Sequence, residues 1–201
     1  PSIELFIEAC EEVIRRNAQF IPPYGTDASF YLRPLLIGSN AVLGVRPATE
    51  AMLVVFGTPV GAYFKEGIKP ISVLLDREFD RAAPRGTGDV KCGGNYAASL
   101  RAGKRAEEKG FSQVLWLDGV ERKYIEEVGA MNVMFKINGE IITPILTGSV
   151  LPGITRKSCL EILKEWGYKV SERLISVDEL ISAAENGTLE EAWGTGTAAV
   201  I

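Results

Sequence analysis

Histidine is absent from this sequence of 201 residues. Its absence excludes the Ser-His-Asp and Cys-His arrangements of nucleophilic catalysis, and it excludes metal sites built on imidazole. Any acid–base chemistry near neutral pH must therefore use a lysine, carboxyl, tyrosine or cysteine side chain with a shifted pKa, or a bound cofactor. The sequence predicts no metal site.

Cysteines and long apolar runs are also scarce. The three cysteines, Cys10, Cys92 and Cys159, lie far apart without a Cys-x-x-Cys pair, which is typical of thiols in a reducing compartment. No apolar run approaches the length of a membrane span, and the Lys and Arg residues form no basic block of the kind that binds nucleic acid. With a net charge of −4, we expect a cytoplasmic protein whose partners are neither membranes nor nucleic acids.

Apolar residues make up 46% of the chain, enough to fill the core of one large domain or two small ones. Helices and strands do not alternate regularly, and no Gly-x-Gly-x-x-Gly fingerprint is present. The sequence therefore predicts an α+β fold or an irregular α/β fold. The apolar patterns predict helices over about 3–16, 97–109, 154–166 and 177–184, and strands over about 30–37, 51–56, 71–75, 114–117, 133–137, 140–143 and 169–175. The Asn138-Gly139 pair is the strongest hairpin signal.

The segment from Gly88 to Tyr96 places Lys91 among small residues. Gly93 and Gly94 beside it allow a bulky ligand to approach closely. A lysine that attacks a carbonyl group needs a partly enclosed position, where it loses some of its affinity for protons but still reaches the ligand. Alone, a glycine-rich turn with an ordinary surface lysine is the more common case. Segments further along the chain favour the catalytic interpretation.

Three further segments carry groups that suit one ligand, although each alone is also typical of an ordinary turn or helix start. Glu127 lies beside small residues just before a predicted buried strand. Gly153 precedes a helix, and the free backbone N–H groups of Ile154 and Thr155 favour an anion such as phosphate. The segment 194–197, Gly-Thr-Gly-Thr, adds hydroxyl groups and backbone donors.

Pyridoxal phosphate would use each of these groups. It needs a lysine for its aldehyde, an anion that keeps its pyridine nitrogen protonated, donors for its phosphate, and a hydroxyl group near its phenolic oxygen. Lys91, Glu127 and Tyr96 suit the first, second and fourth of these roles. The residues therefore favour pyridoxal 5'-phosphate as the cofactor, held by Lys91 as a Schiff base.

Five motifs occur in one order along nearly the whole chain: GAYF at 61–64, KCGGNY at 91–96, EVGAMN at 127–132, LPGITR at 151–156 and GTGT at 194–197. With these motifs the chain resembles the branched-chain amino acid aminotransferases, which are fold-type IV pyridoxal phosphate enzymes. The resemblance implies reversible amino transfer between leucine, isoleucine or valine and 2-oxoglutarate, in a homodimer. It also implies the end of a small α/β domain over 1–60, a connector over 61–70 and a larger pseudobarrel-like domain over 71–201.

Position by position, the resemblance implies roles for single residues. Lys91 resembles the lysine that binds the cofactor and transfers the proton, and Glu127 resembles the partner of the pyridine nitrogen. Tyr96 is similar to the tyrosine beside the phenolic oxygen, and Leu151 to the residue that packs on the ring. The phosphate ligands implied are Ile154, Thr155 and Thr197. The substrate-binding residues implied are Tyr31, Arg33, Tyr63, Ala130 and Ala198, with Arg33 contacting the γ-carboxylate of glutamate.

The chain departs from the family pattern at both ends. The family's phosphate-binding arginine would lie upstream of residue 1, and the chain stops in the apolar run 198–201, so we expect a piece of a longer polypeptide. The Cys-x-x-Cys pair of mitochondrial members is missing after Thr197, which favours a bacterial-type enzyme. Two alternatives stay open. One is another fold-type IV enzyme, such as a D-amino acid aminotransferase or an aminodeoxychorismate lyase, and the other is a catalytically incomplete fragment.

Overall fold

The computed structural model of the protein describes residues 1–61 and 69–197. The chain divides into two compact units, Pro1–Ile68 and Lys69–Ile201. This division falls inside the predicted connector 61–70, and the assignment of the units to a small and a large domain stays a prediction. Within the described ranges, no helix is both long enough and apolar enough to cross a membrane.

The first unit contains a helix and a pair of strands. Helix α1 (Ile3–Arg16) begins after Ser2, whose hydroxyl group accepts a hydrogen bond from the backbone N–H of Leu5 at 3.2 Å. This bond satisfies one of the donors that a helix start leaves free. Strands β1 (Ser29–Gly38) and β2 (Ala51–Val60) pair in antiparallel fashion over their whole length.

The second unit contains two sheets and three helices within its described residues. Strands β3, β4 and β5 form one sheet in that order, and the other sheet has the order β8, β7, β6, β9. The elements are β3 (Val73–Leu75), α2 (Gly93–Glu108), β4 (Gln113–Leu117), β5 (Ile125–Val128), β6 (Asn132–Ile137), β7 (Glu140–Pro144), α3 (Ile154–Glu165), β8 (Lys169–Arg173), α4 (Val177–Glu185) and β9 (Leu189–Thr195).

The second unit has apolar clusters on both sides of β4, because successive strand residues point to opposite faces of a sheet. On β4, Leu115 and Leu117 join the largest apolar cluster, which combines residues of both sheets with α4. Val114 and Trp116 face the other way and pack against α2. Helix α3 packs on the second sheet through a third cluster that includes Leu160. This arrangement confirms the predicted α+β fold.

Two local features test the predicted elements directly. The hairpin between β6 and β7 is present, and Asn138 and Gly139 have the positive φ angles, +50° and +74°, that such a turn requires. Strand β5 was not predicted, because its sequence, IEEV, lacks the alternation of polar and apolar residues that marks a half-buried strand. Glu127 therefore lies in a strand and not in a loop that precedes one.

Candidate active site

One pocket in the second unit brings together five of the predicted site residues: Lys91, Tyr96, Glu127, Ala130 and Leu151. Four separate chain segments meet here: the stretch that contains Arg81, the lysine segment 88–99, the end of β5 with the turn after it, and the loop before α3. The pocket is partly open to solvent. Its remaining lining residues are Arg81, Gly88, Val90, Asn95, Ser99 and Gly129.

The turn before Lys91 is held by hydrogen bonds from the Asn95 side chain. The Asn95 side chain, in the first turn of α2, donates to the carbonyl oxygens of Thr87 at 2.6 Å and Val90 at 2.8 Å. These bonds fix the turn that precedes the lysine. The Lys91 ammonium group lies 5.6 Å from the centre of the Tyr96 ring. Lys91 is exposed, so the described residues enclose it less than the sequence led us to expect.

Glu127 is buried, with 3% of its surface exposed. Its Oε1 atom accepts hydrogen bonds from the backbone N–H of Leu151 at 3.0 Å and from Nδ2 of Asn132 at 3.2 Å. Its Oε2 atom lies 3.1 Å from Nε of Arg81. Burial raises the pKa of Glu127 to about 7, although the charge of Arg81 and the bond from Leu151 oppose this effect.

A β-bulge brings a second glutamate into the same region. Glu127 pairs with Trp116, while Ile125 pairs with the next residue, Leu117. Glu126 is therefore the extra residue of the bulge, where the regular alternation of side chains is interrupted. Glu126 is 5% exposed, and burial raises the pKa of its carboxyl group as well. Two successive carboxyl groups are thus buried beside one pocket.

Arg81 is a charged residue of the site that the sequence does not single out. It is 8% exposed, and its Nη2 atom donates to the carbonyl oxygens of Gly88, at 3.3 Å, and Ser149. It belongs to a polar stretch that contains several arginines, and nothing in the sequence distinguishes it from the others. Its contact with Glu127 arises only from the packing of segments that are distant in the chain.

The start of α3 was predicted to bind phosphate. Gly153 caps this helix, and no side chain caps its first backbone N–H groups in the part of the chain that the structure describes, which leaves them available to an anion. Ile154 is exposed and Thr155 is half-buried, and neither lines the pocket. Thr197 follows β9 and does not line it either. The phosphate-binding roles of these three residues stay predictions.

The predicted substrate-binding residues include two of the first unit, one of the pocket and two outside the described residues. Tyr31 and Arg33 are on β1 in the first unit, and the guanidinium carbon of Arg33 lies 5.0 Å from the centre of the Tyr31 ring. Ala130 lies in the turn between β5 and β6 and lines the pocket. Tyr63 and Ala198 fall outside the described residues. These assignments stay predictions.

Comparison with known protein families identifies the family to which the chain belongs. The family model described as amino-transferase class IV matches residues 1–201, and the chain therefore belongs to this family. This result confirms the fold class that the motifs led us to expect.

Curated relatives agree with the resemblance at the level of the sequence. Over 198 residues the chain is 54% identical to branched-chain-amino-acid aminotransferase 2 of Bacillus subtilis (strain 168), covering 98% of this chain and 54% of the relative. It is 47% identical to a probable branched-chain-amino-acid aminotransferase of Streptomyces coelicolor, covering 99% of this chain and 55% of the relative. The chain thus spans about half the length of the curated relatives it matches.

Solved structures agree at the level of the fold. The crystal structure of the branched-chain amino acid aminotransferase of Escherichia coli has a TM-score of 0.82 at 32% identity, covering 98% of this chain and 61% of that one. A second branched-chain amino acid aminotransferase, solved with pyridoxamine 5'-phosphate, has a TM-score of 0.81 at 31% identity with the same coverage.

Proposed function

We propose that this chain forms part of a pyridoxal 5'-phosphate-dependent aminotransferase that acts on the branched-chain L-amino acids Leu, Ile and Val with 2-oxoglutarate as the amino acceptor. The observation that carries the proposal is that Lys91 and Glu127, an amine and a buried carboxyl group, line one pocket. The identity to relatives named as branched-chain aminotransferases supports the substrate class. A solved branched-chain amino acid aminotransferase complexed with N-(5'-phosphopyridoxyl)-L-glutamate, at 29% identity, supports a dicarboxylic co-substrate.

The residues present fit this cofactor. Among the described residues, the two hydrogen bonds that Glu127 accepts both go to Oε1, so Oε2 retains the capacity to accept one from a pyridinium N–H. The uncapped start of α3 supplies donors for a phosphate group. When bound, pyridoxal phosphate supplies a ring that withdraws electrons from the α-carbon of the substrate.

The residues of the chain take the following roles. Lys91 would hold the aldehyde carbon of the cofactor through Nζ, and its free amine would hold or move a proton at that atom. The negative charge at Oε2 of Glu127 would keep the ring nitrogen protonated, and the Tyr96 hydroxyl group would donate to the phenolic oxygen. Leu151 would pack against the ring. Ile154, Thr155 and Thr197 would hold the phosphate.

The substrate-binding roles of Tyr31, Arg33, Tyr63, Ala130 and Ala198 are part of this proposal. We assign Arg33 to the γ-carboxylate of glutamate, while neighbouring apolar and aromatic groups such as the Tyr31 ring accommodate a branched side chain. One cation beside an apolar surface would allow an acidic and an apolar substrate to share a site. We also propose a cytoplasmic homodimer. The three free cysteines support a cytoplasmic location. The exposed apolar residues of α1, among them Ile3 and Ile7, support a homodimer.

The test is to trap the cofactor on the protein. The protein is incubated with pyridoxal phosphate, reduced with borohydride and mapped by peptide mass spectrometry. We expect the modification on Lys91, its loss in Lys91→Ala, and its retention in the control Lys104→Ala, which changes an exposed lysine on α2. Trapping at another lysine, or at none, would contradict the proposal and favour an incomplete fragment. In a substrate panel, activity on D-alanine but not on L-leucine would favour another fold-type IV enzyme.

A further inference from the structure

Arg81 connects three parts of the pocket. Its Nη2 atom donates to the carbonyl oxygens of Gly88, at the start of the lysine segment, and of Ser149, in the loop before α3. Its Nε atom lies 3.1 Å from Oε2 of Glu127 at the end of β5. The Nε–H group does not meet the geometry of a hydrogen bond to any described residue. The contact with Glu127 is therefore a charge pairing, and Oε2 keeps its capacity to bind a ligand.

The same guanidinium group acts on a second buried carboxyl group. Glu126 accepts hydrogen bonds at Oε1 from the hydroxyl groups of Ser149 and, at 3.4 Å, Thr147. Its Oε2 atom is buried without a hydrogen-bond partner among the described residues. Burial raises the pKa of both Glu126 and Glu127, and the positive charge of Arg81 opposes the rise in both cases.

Arg81 supplies one positive charge to two carboxyl groups, those of Glu126 and Glu127. Ionisation of either carboxyl group makes ionisation of the other less favourable. Among other charged groups, Lys91 lowers the pKa of Glu127 and Asp118 raises the pKa of Glu126. Arg81 is the buried cation of this cluster, with 8% of its surface exposed. Its removal would leave Glu127 in a site where the protonated form is favoured at neutral pH.

We propose that Arg81 is a positioning residue, which keeps Oε2 of Glu127 charged and in place by offsetting the charges of Glu126 and Glu127 together. The inference deepens the proposed function and rests on it, because the charge on Glu127 matters to catalysis only if this oxygen binds the ring nitrogen of the cofactor. A neutral carboxyl group cannot hold that nitrogen in its protonated form.

The charge of Glu127 can be followed without any cofactor. The infrared C=O stretch of protonated carboxyl groups is recorded against pH, and the contribution of Glu127 is the part that disappears in Glu127→Gln. We expect Arg81→Gln to move this titration midpoint upward by about one pH unit or more. Arg81→Lys keeps the charge but not the fork geometry, and we expect a smaller upward shift. Glu126→Gln removes the competing acid, and we expect a downward shift.

Opposite shifts in the Arg81 and Glu126 variants would support the inference, because a purely structural role predicts no such pattern. A midpoint that stays the same, or falls, in both Arg81 variants would overturn it. If Arg81→Gln does not fold, the midpoints of Arg81→Lys and Glu126→Gln still test the inference. Arg81→Lys retains a cation at this position, and Glu126→Gln leaves Arg81 in place.

A second measurement uses the protein loaded with pyridoxal phosphate. We expect Arg81→Gln to lower kcat at neutral pH with little change in KM, and to recover part of the loss as the pH rises and Glu127 ionises. A loss of the same size at every pH would contradict the inference. If the unmodified protein binds no pyridoxal phosphate, the proposed function fails, whereas the infrared shifts still establish or refute the action of Arg81 on Glu127.

Discussion

Gly153 lies directly against Asn132: a Cβ atom at position 153 would stand 2.2 Å from Oδ1 of Asn132. The Nδ2 atom of the same amide donates to Oε1 of Glu127 at 3.2 Å and to the carbonyl oxygen of Leu151 at 2.9 Å. One amide group therefore joins the buried carboxyl group on β5 to the loop that leads into α3. Gly153 has an ordinary φ of −64°, so close approach and not backbone conformation requires a glycine here.

Replacement of this glycine should disturb the site through Asn132. We expect Gly153→Ala to lower the free energy of unfolding by about 1–3 kcal/mol, because the added methyl group overpacks a buried contact. Urea unfolding measures the change. The control is Gly103→Ala in α2, where a Cβ atom would meet nothing within 4 Å and where alanine should stabilise the helix by up to about 1 kcal/mol. Equal stability of the two variants would contradict the contact.

The charge on Glu127 should affect turnover more than cofactor attachment. We expect Glu127→Gln to keep pyridoxal phosphate on Lys91 but to lower kcat on the order of 10²-fold, because a neutral amide cannot stabilise a protonated ring nitrogen. Steady-state kinetics measures the loss, and borohydride trapping measures attachment. Glu179→Gln, which alters the ion pair with Arg173, is the matched control and should keep its kcat. Normal turnover by Glu127→Gln would mean that another group contacts the ring nitrogen.

The buried carboxyl group also makes stability depend on pH. Burial raises the pKa of Glu127 from its ordinary value of 4.5 to about 7. Between these values the folded protein holds a proton that the unfolded chain releases, so the free energy of unfolding falls as the pH rises. The fall amounts to about 3 kcal/mol and ends near the folded pKa. Urea unfolding across this range measures it.

The control for this pH dependence is Glu127→Gln, which has no carboxyl group to titrate at this position. We expect a shallower slope in the variant. Some slope should remain, because burial raises the pKa of Glu126 too. Identical slopes in the variant and the unmodified protein would show that Glu127 does not titrate in this range.

Gly88 provides a separate test of how the lysine segment is packed. A Cβ atom at this position would stand 2.2 Å from the carbonyl oxygen of Ser149 and 2.7 Å from Cβ of Ala82. Because backbone atoms cannot easily move aside, we expect Gly88→Ala to lower the free energy of unfolding by about 1–3 kcal/mol. Gly94→Ala, in the same segment but with nothing within 4 Å, should cost nothing. Thermal unfolding of the two variants measures the difference. If Gly88→Ala is as stable as the wild-type protein, the close contact with Ser149 and Ala82 is refuted.

Features that depend on residues adjacent in the sequence were predictable. The Asn138-Gly139 turn and the start of α4 are examples, since Ser176 accepts a hydrogen bond from the backbone N–H of Glu179 at 3.0 Å, as its position before the helix predicts. Lys91 could be singled out in the same way, from glycines next to it and a helix directly after it. Recognition of its family needed nothing beyond short motifs in order.

The burial of Glu127 and its contact with Arg81 depend on packing between segments that are distant in the sequence. Whether Glu127 is solvated or buried depends on the bulge in β5 and on the amide group of Asn132, and neither has a local signature in the sequence. The contact of Arg81 with Glu127 joins residues far apart in the chain, so no pattern along the chain marks this arginine among its neighbours. Side-chain charge and desolvation are set by whatever surrounds a group in space. The chemical identity of the site is therefore visible in the sequence, whereas the protonation state of its groups follows from the fold.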